Sequence, residues 1–315
     1  PRTGEKTSTS GPSSHRSGLP GPIRAVLRVP ARAGLPVSIR AGLPVPIRAG
    51  MPVWDEKPPP SPLFGLFSVP LTSPTREKRT TVKGQEWYQA DDVAESYEDK
   101  RFSGGGRLID RREKEAVLDA VGPVEGDDVL EIACGTGRFT VLLAERGADV
   151  VGLDVSEAMI QQGREKARGA GVADHLDFLQ GDAGRLPFPD NSFDTVLAMR
   201  FFHLADTPAS YLTEMRRVSR NRVFFDTFNR FSTRSLYNWM LPMGSRLYSR
   251  WEVDRLLNDV GLELAGAEHD WNLPYGFYRQ IPGDVASAVR RVDTWLGRTP
   301  IGPRLASVSY WNARV

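Results

Sequence analysis

Between residues 128 and 226 the chain alternates short continuous apolar runs with stretches of helical spacing. Val129, Leu130, Ile132 and Ala133 make a run suited to a strand buried on both faces. Gly135 and Gly137 break it, and Phe139 to Arg146 resume at helical spacing. Asp149 to Asp154 reads as a second buried strand ending in an acid, and Ser156 is placed to cap a helix from Glu157 to about Gly169. Leu176 to Ala183 predicts a third strand, Thr195 to Met199 a fourth, Pro208 to about Val218 a helix and Arg222 to Asp226 a fifth strand. Upstream, Gln89–Arg101 and Leu108–Val121 suit helices separated by Gly104, Gly105 and Gly106. Downstream, Ser249 and Glu252 form a capping box for a helix that Gly261 stops. Leu262–Glu268 and Ala306–Ala313 read as the last two strands.

The first 81 residues lack this pattern. They carry an eight-residue repeat beginning at Arg16, Arg24, Arg32, Arg40 and Arg48, with proline too frequent for a helix or an interior strand. Residues 1–81 are therefore expected to be a disordered, polyproline-rich tail, and 82–315 the folded domain. The prolines also forbid the amphipathic helix of a targeting peptide. Almost no aromatics stand between the arginines, unlike a surface on which nucleic-acid bases stack.

The formal net charge of +2 hides an asymmetry. Residues 1–81 hold 12 Lys and Arg against 4 Asp and Glu, whereas 82–315 hold 29 against 35. The folded part is thus mildly acidic, which argues against a nucleic-acid clamp. Cys134 is the single cysteine, so no intrachain disulfide is possible and a cytoplasmic, reducing setting is expected. No apolar stretch approaches the ~20 residues of a membrane helix.

The turn at 135–137 is where the pattern points to chemistry, since a strand bending on glycines into a helix brings bare backbone N–H groups to a ligand. A dinucleotide-binding G-x-G-x-x-G would need glycine at 140, where Thr140 stands, and no Gly-Lys-Ser/Thr of a phosphate loop follows. Instead Glu131 precedes Gly135 by four residues, and an anionic carboxylate there suits a cationic ligand. The string Glu131-x-x-x-Gly135-x-Gly137 resembles the first motif of the class I S-adenosylmethionine-dependent methyltransferases. Gly181-Asp182-Ala183 matches that family's third signature, and Leu186-Pro-Phe-Pro-Asp-Asn-Ser-Phe-Asp194 resembles a connection of its small-molecule branch.

The resemblance implies a Rossmann-like α/β fold with seven strands, mostly parallel, helices on both faces and an antiparallel edge formed by the C-terminal strands. It implies S-adenosylmethionine as cofactor, with Glu131, Ala133, Gly135 and Gly137 near its methionine part. Asp154 would take both ribose hydroxyls, as the equivalent acid also does in NAD-binding folds. Val155 would pack on one face of the adenine, Asp182 with the Ala183 N–H would read its edge, and Met199 would also contact the cofactor. In similar enzymes an N-terminal helix closes over the pocket, which gives Tyr97 and Arg101 a role as lid; the alternative is that Tyr97 packs the helix down and Arg101 is a solvated charge. The aromatic-rich stretches 228–248 and 271–278 fall where the family builds its substrate lid.

A general base is needed only if the acceptor must lose a proton. His203, just beyond the fourth strand, is the candidate, and Arg200 a candidate for holding an acidic substrate. His269 and Asp270 also follow a strand. There is no Asn/Asp-Pro-Pro-Tyr/Phe after the fourth strand, no cysteine outside the cofactor loop to attack a pyrimidine, and no carboxylate cluster beyond the fourth strand for a metal. A small organic acceptor, methylated on O, N or C, is expected. The alternatives are a cofactor-sensing module without turnover and an NAD-binding oxidoreductase.

Overall fold

A computed structural model of the chain describes residues 105–238 and 244–315. The repeat tail and the helix expected over 89–101, with Tyr97 and Arg101, lie outside the described residues. The elements are α1 (Gly106–Val121), β1 (Asp128–Ile132), α2 (Arg138–Ala144), β2 (Asp149–Asp154), α3 (Glu157–Ala170), β3 (Leu176–Gln180), β4 (Phe193–Ala198), α4 (Pro208–Val218), β5 (Ser219–Asn229), α5 (Arg234–Tyr237), β6 (Leu247–Tyr248), α6 (Arg250–Val260), β7 (Glu263–Asp270), α7 (Tyr275–Tyr278), α8 (Gly283–Gly297), α9 (Gly302–Leu305) and β8 (Val308–Arg314).

One mixed sheet runs in the order β3-β2-β1-β4-β5-β8-β7, with the two-residue β6 alongside β5. Strands β3, β2, β1, β4 and β5 are parallel neighbours. Strand β8 is antiparallel to both β5 and β7. Strand β7 therefore points the same way as β5. The carboxyl ends of β1, β2, β4, β5 and β7 consequently gather at one edge of the sheet, where ligands of open α/β sheets bind.

Every residue of β1 is buried, as its unbroken apolar run requires. Alternate residues serve opposite faces. Leu130, Ile132, Val196 and Phe225 pack with Leu212 and Met215 of α4 and with Val253 and Leu257 of α6. Val129, Leu197 and Phe224 pack with Val117 and Val121 of α1 and with Phe139 and Leu143 of α2. Helix α4 begins on Pro208 in its first turn, where a missing N–H costs nothing. The capping box of α6 is formed in both directions, and Gly261 ends the helix at φ 73°.

Two features depart from the sequence reading. Strand β5 extends beyond 222–226 at both ends, because β4 pairs with it at Ser219 and β8 as far as Phe228. Helix α8 was not foreseen: inward it sets Ala286 and Val289 against the core, while polar groups supply much of the remaining anchorage. Asp293, fully buried, accepts from the Tyr278 hydroxyl at 2.8 Å, the Leu273 N–H at 3.0 Å and Arg290 at 3.1 Å. Arg290 also binds Asp270 at 2.7 Å.

Glu113, on α1 and fully buried, clips four elements together. Its carboxylate accepts from Arg138 of α2 at 2.5 Å and from Arg200, beyond β4, at 2.9 Å. Arg200 reaches on to Asp226 of β5 at 2.7 Å, and Arg138 to Asp110 at 2.7 Å. Deleting one member of such a buried network leaves the opposing charges uncompensated. Glu113→Ala is expected to lower the free energy of unfolding by about 3–5 kcal/mol, read from the midpoint of urea denaturation. A loss close to that of an exposed carboxylate would show that the cluster is dispensable.

Candidate active site

The turn after β1 is built on left-handed backbone: Ala133, Gly135 and Gly137 have φ of 52°, 54° and 70°. It is tied to β2 rather than left loose. The Cys134 N–H donates to the Leu153 carbonyl at 3.1 Å, and the Gly135 N–H to Asp154 Oδ2 at 2.8 Å. The other oxygen of Asp154 accepts from the Ser156 N–H at 2.9 Å. Ser156 in turn caps α3 by accepting from the Met159 N–H. Asp154 thus fixes the glycine turn and the start of α3 at once, while each oxygen keeps a lone pair for a ligand hydroxyl. Burial raises its carboxyl above the ordinary range, against the Ser156, Gly135 and Val155 N–H groups, which lower it.

The two glycines serve different ends. A side-chain carbon on Gly137 would stand 2.8 Å from the Phe178 ring and 3.5 Å from the Gly163 backbone, so this position is needed for α3 to pack closely. One on Gly135 would meet nothing within 4 Å. The space over Gly135 is open. Beneath the turn, Glu131 is buried and its carboxylate accepts from the Thr140 hydroxyl at 2.5 Å. Burial pushes Glu131 up to about 7, partly offset by the Thr140 hydroxyl and the Arg138 charge. The residue that departs from the dinucleotide pattern is therefore the one that holds the acid in place. Burial likewise raises the Cys134 thiol well above its ordinary value, which leaves it inert.

Along the same edge, Asp182 is exposed and accepts from the Gly184 N–H at 2.8 Å, with Ala183 buried beside it. Val155 is half-buried and its carbonyl accepts from Gln180 at 3.0 Å. Met199 is buried at the end of β4. His203 is half-buried with its ring edge-on to Phe228, 5.1 Å between centroids. Arg200, at φ 59°, lies over the same ring at 5.1 Å while paired with Glu113 and Asp226. The guanidinium of Arg234 sits 3.7 Å from the Phe228 centroid.

Phe228, Arg234, Glu113 and Asp226 are the residues that sequence reasoning missed here. The aromatic richness of 228–248 signalled the stretch without singling out Phe228. His269 and Asp270 are placed apart from the glycine turn: His269 bonds Ser309 at 2.8 Å, and Asp270 clamps Arg112 at 2.8 Å and Arg290. Among the described residues no group of His, Cys, Asp and Glu is arranged to hold a metal ion.

Comparison with known proteins places this geometry in context. Residues 130–225 match a family model described as a methyltransferase domain. Among curated relatives, a demethylmenaquinone methyltransferase of Renibacterium salmoninarum is 41% identical over 110 residues, covering 35% of this chain and 44% of that protein. A ubiquinone/menaquinone biosynthesis C-methyltransferase of Roseobacter denitrificans is 37% identical over 114 residues, covering 36% and 46%. The chain spans less than half the length of either relative. Among solved structures, a [4+2]-cyclase, SpnF, superposes with TM-score 0.57 at 19% identity, covering 73% of this chain and 95% of that one. A magnesium protoporphyrin IX methyltransferase from Synechocystis, solved with bound SAH, gives 0.54 at 15% identity, covering 73% and 97%. These likenesses show the fold.

The burial of Glu131 generates a pH signature. Its folded value of about 7 lies above the ordinary 4.5, so the native state keeps a proton that the unfolded chain has already released between those limits. Stability should fall as pH rises through that window. Glu131→Gln, whose amide oxygen still accepts from Thr140, is expected to remove this part of the slope, so that the variant gains on the parent between about pH 5 and pH 8. Thermal melts of both proteins across that range check it; parallel curves would mean that Glu131 is ionised throughout.

Proposed function

We propose that this chain, a class I S-adenosylmethionine-dependent methyltransferase, moves the cofactor's methyl group on to a small organic acceptor. A planar aromatic ring of the quinone type is the acceptor class we favour. The observation that carries the reading is the open cradle over Gly135, braced from below by Glu131 and from β2 by Asp154.

The residues present fit S-adenosylmethionine. Backbone from Ala133 to Gly137 would border its methionine part, and Glu131, raised to about 7, would be drawn toward its ionised form by a ligand that carries a sulfonium and an ammonium. Asp154 would accept from the ribose hydroxyls with the lone pairs left by Gly135 and Ser156. Val155 and Met199 would contact the adenine faces, with Asp182 and the Ala183 N–H at its edge. When bound, this cofactor supplies a methyl carbon already activated by the sulfonium. What remains for the protein is to orient the acceptor and exclude water.

The acceptor side is aromatic. Phe201 packs edge-on to Phe202, 5.5 Å between centroids, and Phe228 is ringed by His203, Arg200 and Arg234. Such walls suit a flat ring. His203 is assigned as the base for an acceptor that must give up a proton. Arg200, engaged by two carboxylates, is assigned to shaping the loop after β4, and Tyr97 and Arg101 to covering the bound ligands. The relative named as a ubiquinone/menaquinone biosynthesis C-methyltransferase supports a carbon acceptor. The acidic balance of 82–315 supports an acceptor other than nucleic acid, and the lone buried thiol supports a cytoplasmic setting.

Calorimetric titration with S-adenosylmethionine should give binding that Asp154→Ala weakens by about tenfold or more, the loss of two charge-assisted hydrogen bonds. Gly135→Ala should weaken it too, by filling the cradle. Undiminished affinity in both variants would sink the site assignment. Incubation with methyl-labelled cofactor and hydroxylated quinone precursors should yield a labelled acceptor; binding without any labelled product would favour a sensor. Removal of residues 1–81 should leave cofactor affinity unchanged, and a large loss would show that the repeats belong to the domain.

A further inference from the structure

Helix α8 carries apolar residues on two sides. Inward, Ala286 and Val289 pack on the core, and ions and hydrogen bonds add to the anchorage, through Arg290 to Asp270 and through Asp293 to Tyr278 and Leu273. Outward, Ser287, Arg291 and Thr294 stand beside a second apolar stripe. At about 3.6 residues per turn, Val285, Ala288, Val292 and Trp295 fall on one stripe. All four are exposed among the described residues, Val292 at 53% and Trp295 at 65%. An isolated exposed valine needs no explanation, but a four-member stripe ending in tryptophan does.

The stripe does not stop at the helix. Leu296, one step round from Trp295, lines a cavity of about 300 Å³ together with Phe231, Leu236, Asn272, Ile301 and Leu305. Leu236 is 75% and Ile301 59% exposed at its rim. Phe231 and Asn272 follow β5 and β7, so this cavity opens at the same sheet edge as the glycine turn.

Charge identifies the occupant. Arg291 and Arg298 flank the stripe on its side away from the cavity, and Arg304 stands on α9. All three are exposed and none makes an ion pair among the described residues; Asp284 is the one exposed acid on α8. An apolar face with a tryptophan, bordered by arginines, is what an anionic lipid surface recognises: the ring and aliphatic groups enter the headgroup–acyl boundary while the guanidiniums meet phosphates. We propose that α8 and the rim formed by Leu236, Ile301 and Leu305 dock this domain reversibly on the surface of an anionic bilayer, lying on it without spanning it. Seated so, the cavity mouth faces the lipid. The inference stands whatever the acceptor proves to be, since it rests on the surface alone.

The full chain tests it by co-sedimentation with phosphatidylcholine vesicles, with and without phosphatidylglycerol. Because the basic tail can itself attract anionic vesicles, insertion is read at Trp295 directly, as the difference in quenching by brominated lipid between the parent and Trp295→Phe. Quenching of Trp295 is expected on anionic vesicles. Val292→Asp with Trp295→Asp should reduce vesicle affinity by about tenfold or more, and Arg291→Glu with Arg298→Glu should abolish the share of anionic preference that the tail does not supply. Circular dichroism and cofactor affinity, which involve none of these residues, report whether each variant still folds. Vesicle binding with Trp295 unquenched would overturn the proposal and assign the attraction to the tail. Shielding of Trp295 from acrylamide before lipid is added would overturn it in favour of the chain's own residues before 105, and a dimer that the Asp variants dissociate would overturn it in favour of a second copy.

Discussion

The whole carboxyl edge depends on one carboxylate. Asp154 ends β2, and its two oxygens hold the Gly135 N–H of the preceding crossover and the Ser156 N–H of the following one. A parallel pair of strands has no turn joining its ends, so something must register the loops that leave them. Here that device is also the carboxylate proposed to take the ribose hydroxyls. The cost is burial of a charge, visible in its raised carboxyl, and three backbone N–H groups offset it. The left-handed glycines follow from the same tie: the chain must double back within a few residues to bring Gly135 over Asp154, and only residues without a side-chain carbon do so without strain.

A second cluster braces the loop after β4 as Asp154 braces the turn after β1. Glu113, Arg138, Arg200 and Asp226 come from four separate elements and are buried or nearly so. Replacing such a network with well-packed apolar groups is often neutral or stabilising, so stability alone is a poor reason for it. Its geometry offers a better one. Arg200 sits in left-handed backbone at the end of β4, with its own N–H and guanidinium both held by Asp226. The loop that carries Phe201, Phe202 and His203 is thereby fixed at its root. Two arginines against three carboxylates, counting Asp110, leave the cluster close to neutral, so its field does not compete with the charge presented by Glu131.

Strands β1 and β2 and helices α3, α4 and α6 were legible in the sequence because local chemistry and buried pattern agree there. Unbroken apolar runs meant strands buried on both faces, and Ser156, Pro208, Ser249 and Gly261 marked helix ends. The glycine turn, Glu131, Asp154 and Asp182 were legible because they lie close together along the chain. Arg200 was visible only as a charge near the site, for its partners lie 87 and 26 residues away. No local pattern announces an ion pair of that span. Helix α8 escaped for a related reason: periodicity assumes one apolar side facing the core, and α8 has Ala286 and Val289 inward but Val285, Val292 and Trp295 outward.

The likenesses to known proteins divide along the same line. A chain named as a [4+2]-cyclase and one named as a methyltransferase share this fold at similar scores, so the sheet by itself does not choose a reaction. The family match covers 130–225, which contains the glycine turn, Asp154, Asp182 and the root of β5. Phe228, Arg234, the cavity after β5 and the outward face of α8 all lie beyond it. The matched segment thus holds the residues proposed for the cofactor, and the parallel crossovers constrain its spacing tightly. The C-terminal elements, from which the acceptor is proposed to approach, need only dock on β5, β8 and β7. A sheet edge constrained on one side and free to vary on the other explains why residues 130–225 match a family model while the elements after them carry what distinguishes this chain.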